Sequence, residues 1–276
     1  MTTTQKVIQA LAIAFAIFII VSIASGILTA IYGCAHVLGL NKKDTQTVIS
    51  ESDESIVTNF ENTNAATLQL DLKYTNLVIK TGETLKAETN SSNIECRQDN
   101  NNLVIKEKNH NWFNNNEKNN LIVYIPEGLT FETVKIEAGA GKIEIQELNA
   151  KNLYFEMGAG KVEIQNLNIQ SEAKINGGAG KVTILNGEIN NLNLDMGIGK
   201  FELTSKLLGD NKIEAGIGKL DITLKDSKEN YTIKASKGIG SINIDGKEMS
   251  DNEEYGSGEN YIKIEGGIGS TQVKFE

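Results

Sequence analysis

Proline, cysteine and histidine are scarce in this sequence. Its 276 residues include one proline, two cysteines and two histidines, and aromatic side chains make up 6%. Two cysteines, Cys34 and Cys96, are too few for a disulfide framework or a four-ligand zinc site. Because aromatic residues are so few, the core must be built from Ile, Leu and Val. The composition therefore argues against most enzyme chemistry and predicts no metal and no cofactor.

Positive charge is also in short supply. The chain has 27 Lys and Arg against 36 Asp and Glu, which gives a net charge of −9. A nucleic-acid partner is excluded on this ground, because phosphate binding relies on clustered Lys and Arg. Glycine, in contrast, is abundant, with 26 residues. Flexible linkers and collagen usually carry proline as well, so this glycine has an ordered, positional use.

A long apolar segment lies near the N-terminus. Residues 7–33 contain no charged side chain, and as a helix they would span roughly 40 Å, more than the ~30 Å hydrocarbon core of a bilayer. The apolar region of a cleavable signal peptide is only about 7–15 residues long. The sequence therefore predicts an uncleaved single-pass transmembrane helix at 7–33. Lys6 on one side and Lys42 and Lys43 on the other nearly balance, so the charges leave the orientation open.

Two smaller features flank this anchor. The stretch that ends at Cys34 faintly resembles a lipoprotein cleavage box, but Tyr32 fits it badly, and lipidation of Cys34 stays open. Residues 41–66 are polar and rich in acid, which is typical of a solvated linker. The predicted organisation is an anchor at 1–40, an acidic linker at 41–66 and a folded domain at 67–276.

A repeat organises the folded domain. A Gly-x-Gly turn followed by Lys or Ser recurs seven times, at intervals of 19, 20, 19, 19, 22 and 29 residues. The paired glycines are Gly139 and Gly141, Gly158 and Gly160, Gly178 and Gly180, Gly197 and Gly199, Gly216 and Gly218, Gly238 and Gly240, and Gly267 and Gly269. We assign these glycines a structural role at the corners of the repeat, where they allow positive φ and close approach of neighbouring layers.

The residues around each turn alternate between apolar and polar, which is the pattern of a strand. Apolar residues recur four and six positions after the first glycine and three positions before it, with Thr271 as the exception in the last copy. Two short strands cannot bury an apolar face alone, so the units must stack on one another. The sequence predicts an all-β fold, a single-chain parallel β-solenoid with repeats of about 19–22 residues.

Less regular apolar segments precede the clear repeats and extend the prediction. Residues 68–79, 103–105 and 121–125 look like degenerate early layers, interrupted by an Asn-rich excursion at 108–120. Residues 246–260 fill the longest interval and are expected to form a polar loop.

These motifs resemble a known family. The run from Tyr124 to Leu129, the segment from Val134 to Ile143 and the repeated glycine corners together look like the bacterial putative-adhesin domain of unknown function, which is common in membrane-anchored proteins of Gram-positive bacteria. The resemblance covers roughly residues 68–276. It implies a β-solenoid outside the membrane with a link to envelope stress, and no catalytic residues.

Two known ligand-binding motifs are similar to the repeat, but the repeat does not match either of them. A phosphate-binding loop needs a helix after its Gly-Lys, whereas a strand follows Lys142 here. Calcium-binding nonapeptide repeats place Asp two residues after the third glycine, where this chain has Val182 and Thr271.

The repeated lysines have two interpretations. Lys142, Lys161, Lys200 and Lys219 follow acids that lie two residues before the same glycine pair: Glu137, Glu156, Asp195 and Glu214. These rows either neutralise each other as a solvated ladder or, together with Lys181, form a surface for an anionic envelope polymer.

Three functions remain as hypotheses. The first is a non-enzymatic membrane-anchored surface module, extracellular and single-pass, that binds or senses a polymer or protein at the cell envelope. The second is a membrane scaffold that assembles end to end through uncovered layers, although the charged C-terminus Val273–Glu276 favours a blunted end. The third is a carbohydrate-active enzyme, for which Asp195, Asp221 and Asp245 lack a recurring partner and His110 with Trp112 could only stack a sugar.

Overall fold

The computed structural model describes residues 55–60, 66–108 and 119–276. The predicted transmembrane helix at 7–33, Cys34, His110 and Trp112 lie outside these residues. Within the described part of the chain, no helix combines the length and the apolar character that crossing a membrane requires. These residues form strands connected by turns, with one short 3-10 helix at Lys228–Asn230, which confirms the all-β prediction.

The strands follow one another at short intervals along the described residues. They are β1 (Ile56–Asn59), β2 (Thr67–Leu72), β3 (Thr75–Gly82), β4 (Lys86–Thr89), β5 (Ile94–Asp99), β6 (Asn102–Glu107), β7 (Asn119–Pro126), β8 (Thr130–Asn176), β9 (Ala179–Ile184), β10 (Gly187–Asn190), β11 (Leu192–Asp195), β12 (Ile198–Leu208), β13 (Asp210–Glu214), β14 (Ile217–Leu224), β15 (Tyr231–Ser236), β16 (Ile239–Ile244), β17 (Lys247–Glu248), β18 (Glu253–Gly256), β19 (Asn260–Glu265) and β20 (Ile268–Phe275).

Successive repeats stack as rungs joined by parallel pairing. In β12 and β14, for example, Phe201 lies opposite Leu220 and Leu203 opposite Ile222. Segment a of a rung precedes the glycine corner and segment b follows it, as in β11 and the first part of β12. In several rungs a segment c follows, as where the end of β12 pairs with β10. This arrangement confirms the β-solenoid.

The core lies inside the rungs and consists of the alternating apolar residues. In all seven copies, the residues four and six positions after the first glycine and three before it are at most 4% exposed. Thr271, the polar exception in the sequence, also points inward. Because the side-chain period of a strand is two, this single phase fixes which residues face solvent on every rung.

The order of the rungs differs from the order of the sequence at both ends. The C-terminal strands β19 and β20 lie between β13–β14 and β15–β16, so that the last rung of the stack is formed by residues 231–244. At the other end, β2 and β3 lie between β8 and the outer pair β6 and β7. The C-terminal residues Val273–Glu276 were expected to blunt an end of the stack. Because β20 lies between β14 and β16, they belong to an inner rung instead.

Antiparallel strands cover both ends of the stack. Strand β18 pairs with β15 and β17 with β16, so the segment at 246–260 that was expected to be a polar loop forms a cap, with Met249 buried beneath it. Strands β5 and β4 pair with β6 and β7, and β1 pairs with β4. Because these strands are antiparallel, they do not offer the edge on which a further parallel rung would form. They therefore protect the ends of the stack from pairing with a second molecule.

The folded sheet begins earlier than the boundary predicted at residue 66. Strand β1 and the buried Phe60 lie within 41–66, the segment predicted to be a linker. The alternation in β1 is too short and too polar to identify from sequence. Strand β1 forms because its backbone N–H and C=O groups pair with those of β4, which the sequence of β1 alone does not indicate.

Candidate functional site

The glycine corners leave no room for a side chain between the backbones of neighbouring rungs. At the second glycine of all seven pairs, φ lies between +132° and +156°. A Cβ built on Gly160 would collide with the carbonyl oxygen of Gly141 on the adjacent rung, and one built on Gly139 would lie 2.6 Å from the carbonyl oxygen of Lys73. A side chain at these corners would therefore force the rungs apart.

The corner lysines stack in register on the b segments. Lys161 lies opposite Lys181, Lys181 opposite Lys200, and Lys200 opposite Lys219. Two like charges about 5 Å apart repel by about 1 kcal/mol even in water. The stack therefore requires carboxylates nearby.

For four of the five corner lysines, a carboxylate lies two residues later on the same strand. Lys142 contacts Glu144 at 2.7 Å, Lys161 contacts Glu163 at 3.2 Å and Lys219 contacts Asp221 at 2.7 Å. We name this surface the Lys–acid face, which consists of Lys142, Lys161, Lys181, Lys200 and Lys219 with Glu144, Glu163, Glu202 and Asp221.

The partners predicted for these lysines were wrong. The described ion pairs of Lys142, Lys161, Lys200 and Lys219 do not include the acids before the glycines, Glu137, Glu156, Asp195 and Glu214. Those acids lie on segment a, across the corner, where Glu214 pairs with Lys212. Residues two apart on one strand share a face, whereas a corner turns the chain to another face.

Glu202 is the most strongly coupled acid of this face. On the neighbouring rung Thr183 occupies the acid position, so Lys181 reaches across to Glu202 at 2.7 Å. Glu202 also pairs with Lys200 and accepts a hydrogen bond from the Thr183 hydroxyl at 3.1 Å. These partners, chiefly the hydrogen bonds from Lys181 and Lys200, lower the pKa of the Glu202 carboxyl to about 2.

A surface cleft of about 360 Å³ adjoins the Lys–acid face. Its lining includes Lys80, Gln146 and Gln165 together with Glu144 and Glu163 of the face itself. Ammonium and amide groups donate hydrogen bonds, and carboxylate and amide oxygens accept them. The cleft thus offers donors and acceptors from several rungs side by side.

A second surface was missed in the sequence. The residue between the two glycines points outward and is alanine in the first three copies, but isoleucine in the last four. We name these four residues the isoleucine ridge: Ile198, Ile217, Ile268 and Ile239. The change from Ala to Ile at a fixed position of the repeat was the available signal.

The acids considered for glycosidase chemistry are not brought together. Asp195 accepts the backbone N–H of Gly197, Asp221 pairs with Lys219, and Asp245 accepts a hydrogen bond from Tyr255 at 3.1 Å. In the described ranges, no group of three or more His, Cys, Asp or Glu residues is placed to hold a metal ion.

Burial raises the pKa of the Cys96 thiol, which leaves this thiol less reactive.

Comparisons with known proteins identify the family. The family model described as Toastrack DUF4097 matches residues 41–262, so the chain belongs to this family. The match includes 41–66, the segment predicted to be a linker. A comparison with curated proteins finds no match.

Two solved structures of low similarity are named as putative adhesion proteins. A putative cell adhesion protein from Clostridium sporogenes is 22% identical with a TM-score of 0.38, over 80% of this chain and 99% of that one. A putative adhesin from Bacteroides fragilis is 13% identical with a TM-score of 0.29, over 80% of this chain and 98% of that one. With TM-scores this low, neither likeness carries an inference about activity.

Proposed function

We propose that this member of the Toastrack DUF4097 family is a non-enzymatic, adhesin-like module, anchored in the cell membrane by residues 7–33 with its solenoid outside. The observation that carries the proposal is the Lys–acid face with its adjoining cleft. An extended polymer that lies along the stack would meet the same kinds of donors and acceptors on one rung after another.

The pairing of the lysines points to the chemistry of this polymer. Each lysine of the face has a carboxylate within 4.0 Å, so the face is not a net cationic surface. An anionic polymer would have to displace these carboxylates and would be repelled by the net charge of −9. Hydroxyl groups, in contrast, can donate to the carboxylates and accept from the lysines. We therefore infer a hydroxyl-rich envelope glycan as the ligand.

A binding assay with the full chain tests this function. The chain in detergent would be mixed with insoluble Gram-positive cell walls, either intact or stripped of their anionic polymers, and sedimented. We expect equal or better binding to the stripped walls. The double variant Gln146→Ala and Gln165→Ala, which truncates two cleft residues, should weaken binding at least severalfold.

The control for this assay is Gln170→Ala, since Gln170 is an exposed glutamine that does not line the cleft. This variant should bind as the wild type does. Binding only to intact walls would restore the anionic polymer as the ligand. Binding that is unaffected by the cleft variants would refute the assignment of this surface.

A further inference from the structure

The isoleucine ridge is a continuous row of apolar side chains on the exterior of the stack. The register places Ile198 opposite Ile217, Ile217 opposite Ile268, and Ile268 opposite Ile239, so the four side chains occupy consecutive rungs. Their exposed fractions reach 41% for Ile217, 44% for Ile268 and 74% for Ile239. Scattered exposed apolar residues are normal, but contiguous ones mark interaction surfaces.

The solenoid does not need isoleucine at this position. Ala140, Ala159 and Ala179 occupy it in the first three copies and continue the same row, with Ala179 opposite Ile198. These rungs have the same glycine corner, and the same positions of the repeat are buried in them. Because the side chain lies outside the core, the fold does not require the larger residue at this position.

Charged rows of opposite sign flank the ridge. On its segment a side, the outward residues nearest the corner are Asp195, Glu214 and Glu265, which lie opposite one another in register. On its segment b side they are Lys200 and Lys219. The ion-pair partners of these charges on their own strands, Lys212, Lys263, Glu202 and Asp221, lie two residues farther from the corner, so each row presents its own sign nearest the ridge. The corner therefore presents acid, isoleucine and lysine side by side on the rung of Ile198 and again on that of Ile217.

We propose that the isoleucine ridge is the interface between two copies of this chain, related by a twofold axis parallel to the stack. Such an axis exchanges the two sides of the ridge. The acidic row of one copy then faces the lysine row of the other, and each isoleucine meets the same residue of its partner. A twofold axis perpendicular to the stack would instead place the acidic rows of the two copies opposite each other, and likewise the lysine rows, and both contacts would be repulsive.

The same charges argue against a lipid surface as the occupant. Membranes that attract peripheral proteins carry anionic lipids, and repulsion of the acidic row would offset the attraction of the lysine row to them. The size of the strip also sets the strength of the contact. The four rungs of the ridge, at about 4.8 Å spacing, extend over about 14 Å. A strip of that length and one side chain wide covers far less than the roughly 800 Å² per partner of a standard interface, so the dimer should be weak.

Sedimentation of the full chain in detergent, titrated across the micromolar range, tests the proposal. The wild type should change from monomer to dimer with concentration, whereas the double variant Ile217→Glu and Ile268→Glu should remain monomeric. Leu185→Glu is the matched control, since Leu185 is 46% exposed but lies off the ridge. It should dimerise as the wild type does. Every variant should stay folded, because these side chains lie outside the core, although the two glutamates of the ridge variant face each other and should lower its unfolding midpoint by a few degrees.

A charge exchange tests the orientation of the two copies. Lys219→Glu and Glu214→Lys should each weaken the dimer, and the combination should restore it, because each lysine faces the glutamate of the partner. A double variant that dimerises no better than the single variants would overturn the parallel arrangement.

Three results would overturn the whole proposal. The first is a wild type that stays monomeric throughout, and the second is a ridge variant that dimerises as well as the wild type. The third is a blue shift in the emission of a fluorophore on the Ile217→Cys variant after reconstitution into vesicles, while the protein stays monomeric. That result would assign the ridge to lipid.

Discussion

Replacement of Gly160 by alanine is the sharpest test of how the rungs are packed. The residue has φ of +138°, and its new Cβ would collide with the carbonyl oxygen of Gly141 on the next rung. The backbone conformation should cost about 1–3 kcal/mol, and the overpacking another 1–3 kcal/mol. We therefore expect the free energy of unfolding to fall by about 4 kcal/mol, the sum of the mid-range values.

Gly128 provides the matched control. It has φ of +75°, but nothing lies within 4 Å of the position where a Cβ would be built. Gly128→Ala should therefore show the conformational cost alone, about 1–2 kcal/mol. Because +138° is less accessible than +75° to a residue with a Cβ, the difference between the two variants contains the collision between rungs plus up to about 1 kcal/mol of extra conformational cost.

Thermal unfolding followed by circular dichroism measures both changes. For a domain of this size, 1 kcal/mol corresponds to about 2–4 °C, so the midpoint should fall by about 8–16 °C for Gly160→Ala and about 2–8 °C for Gly128→Ala. The reasoning would be refuted if the unfolding midpoints of both variants fell by the same amount, or if Gly160→Ala unfolded at the wild-type temperature. Either result would show that the neighbouring backbone does not exclude a side chain at this corner.

Three other perturbations address the Lys–acid face and the cap. Because the pKa of Glu202 is lowered to about 2 from an unfolded value of 4.5, its stabilisation is present above about pH 4.5 and is lost as the pH falls toward 2. The shift alone corresponds to about 3 kcal/mol, but solvent exposure reduces this to about 1 kcal/mol. Urea unfolding at pH 6 and pH 3 should therefore show about 1 kcal/mol less acid destabilisation in Glu202→Gln than in the wild type, and equal losses would contradict the assignment. Lys161→Ala removes one exposed ion pair and should change the unfolding free energy by less than about 1 kcal/mol; a drop of several kcal/mol in the same assay would show that the row is essential to folding. Met249→Lys should detach the cap, because it places a charge at a buried position next to the terminal rung, and light scattering should then detect concentration-dependent association. A monodisperse Met249→Lys sample, matching a Met249→Leu control, would show that the cap does not guard this end.

The rungs could be predicted from sequence because their pattern is periodic and phased. The alternation around each glycine pair specifies which side chains enter the core, and the structure buries all of them, including Thr271. The stacking order could not be predicted in the same way. Each rung presents a similar ladder of Ile, Leu and Val to both neighbours, so the pattern itself does not indicate that β20 lies between β14 and β16.

The surface features were predictable only in part. The lysine row was visible in sequence, but its partners were assigned across the corner rather than along the strand. The correct signal was the spacing itself, since Lys142 and Glu144 are two residues apart on one strand and must share a face. The isoleucine ridge was equally readable at the position between the glycines. Its contiguity, however, depends on the stacking order, because Ile239 joins the row only through Ile268.

Protease treatment of intact cells that express the chain with a C-terminal tag tests the central claim most directly. A membrane-anchored envelope module predicts that the tag is removed from whole cells while an intracellular control protein stays intact. Protection of the tag until the cells are lysed, with the control behaving likewise, would place the solenoid inside and contradict the proposed function.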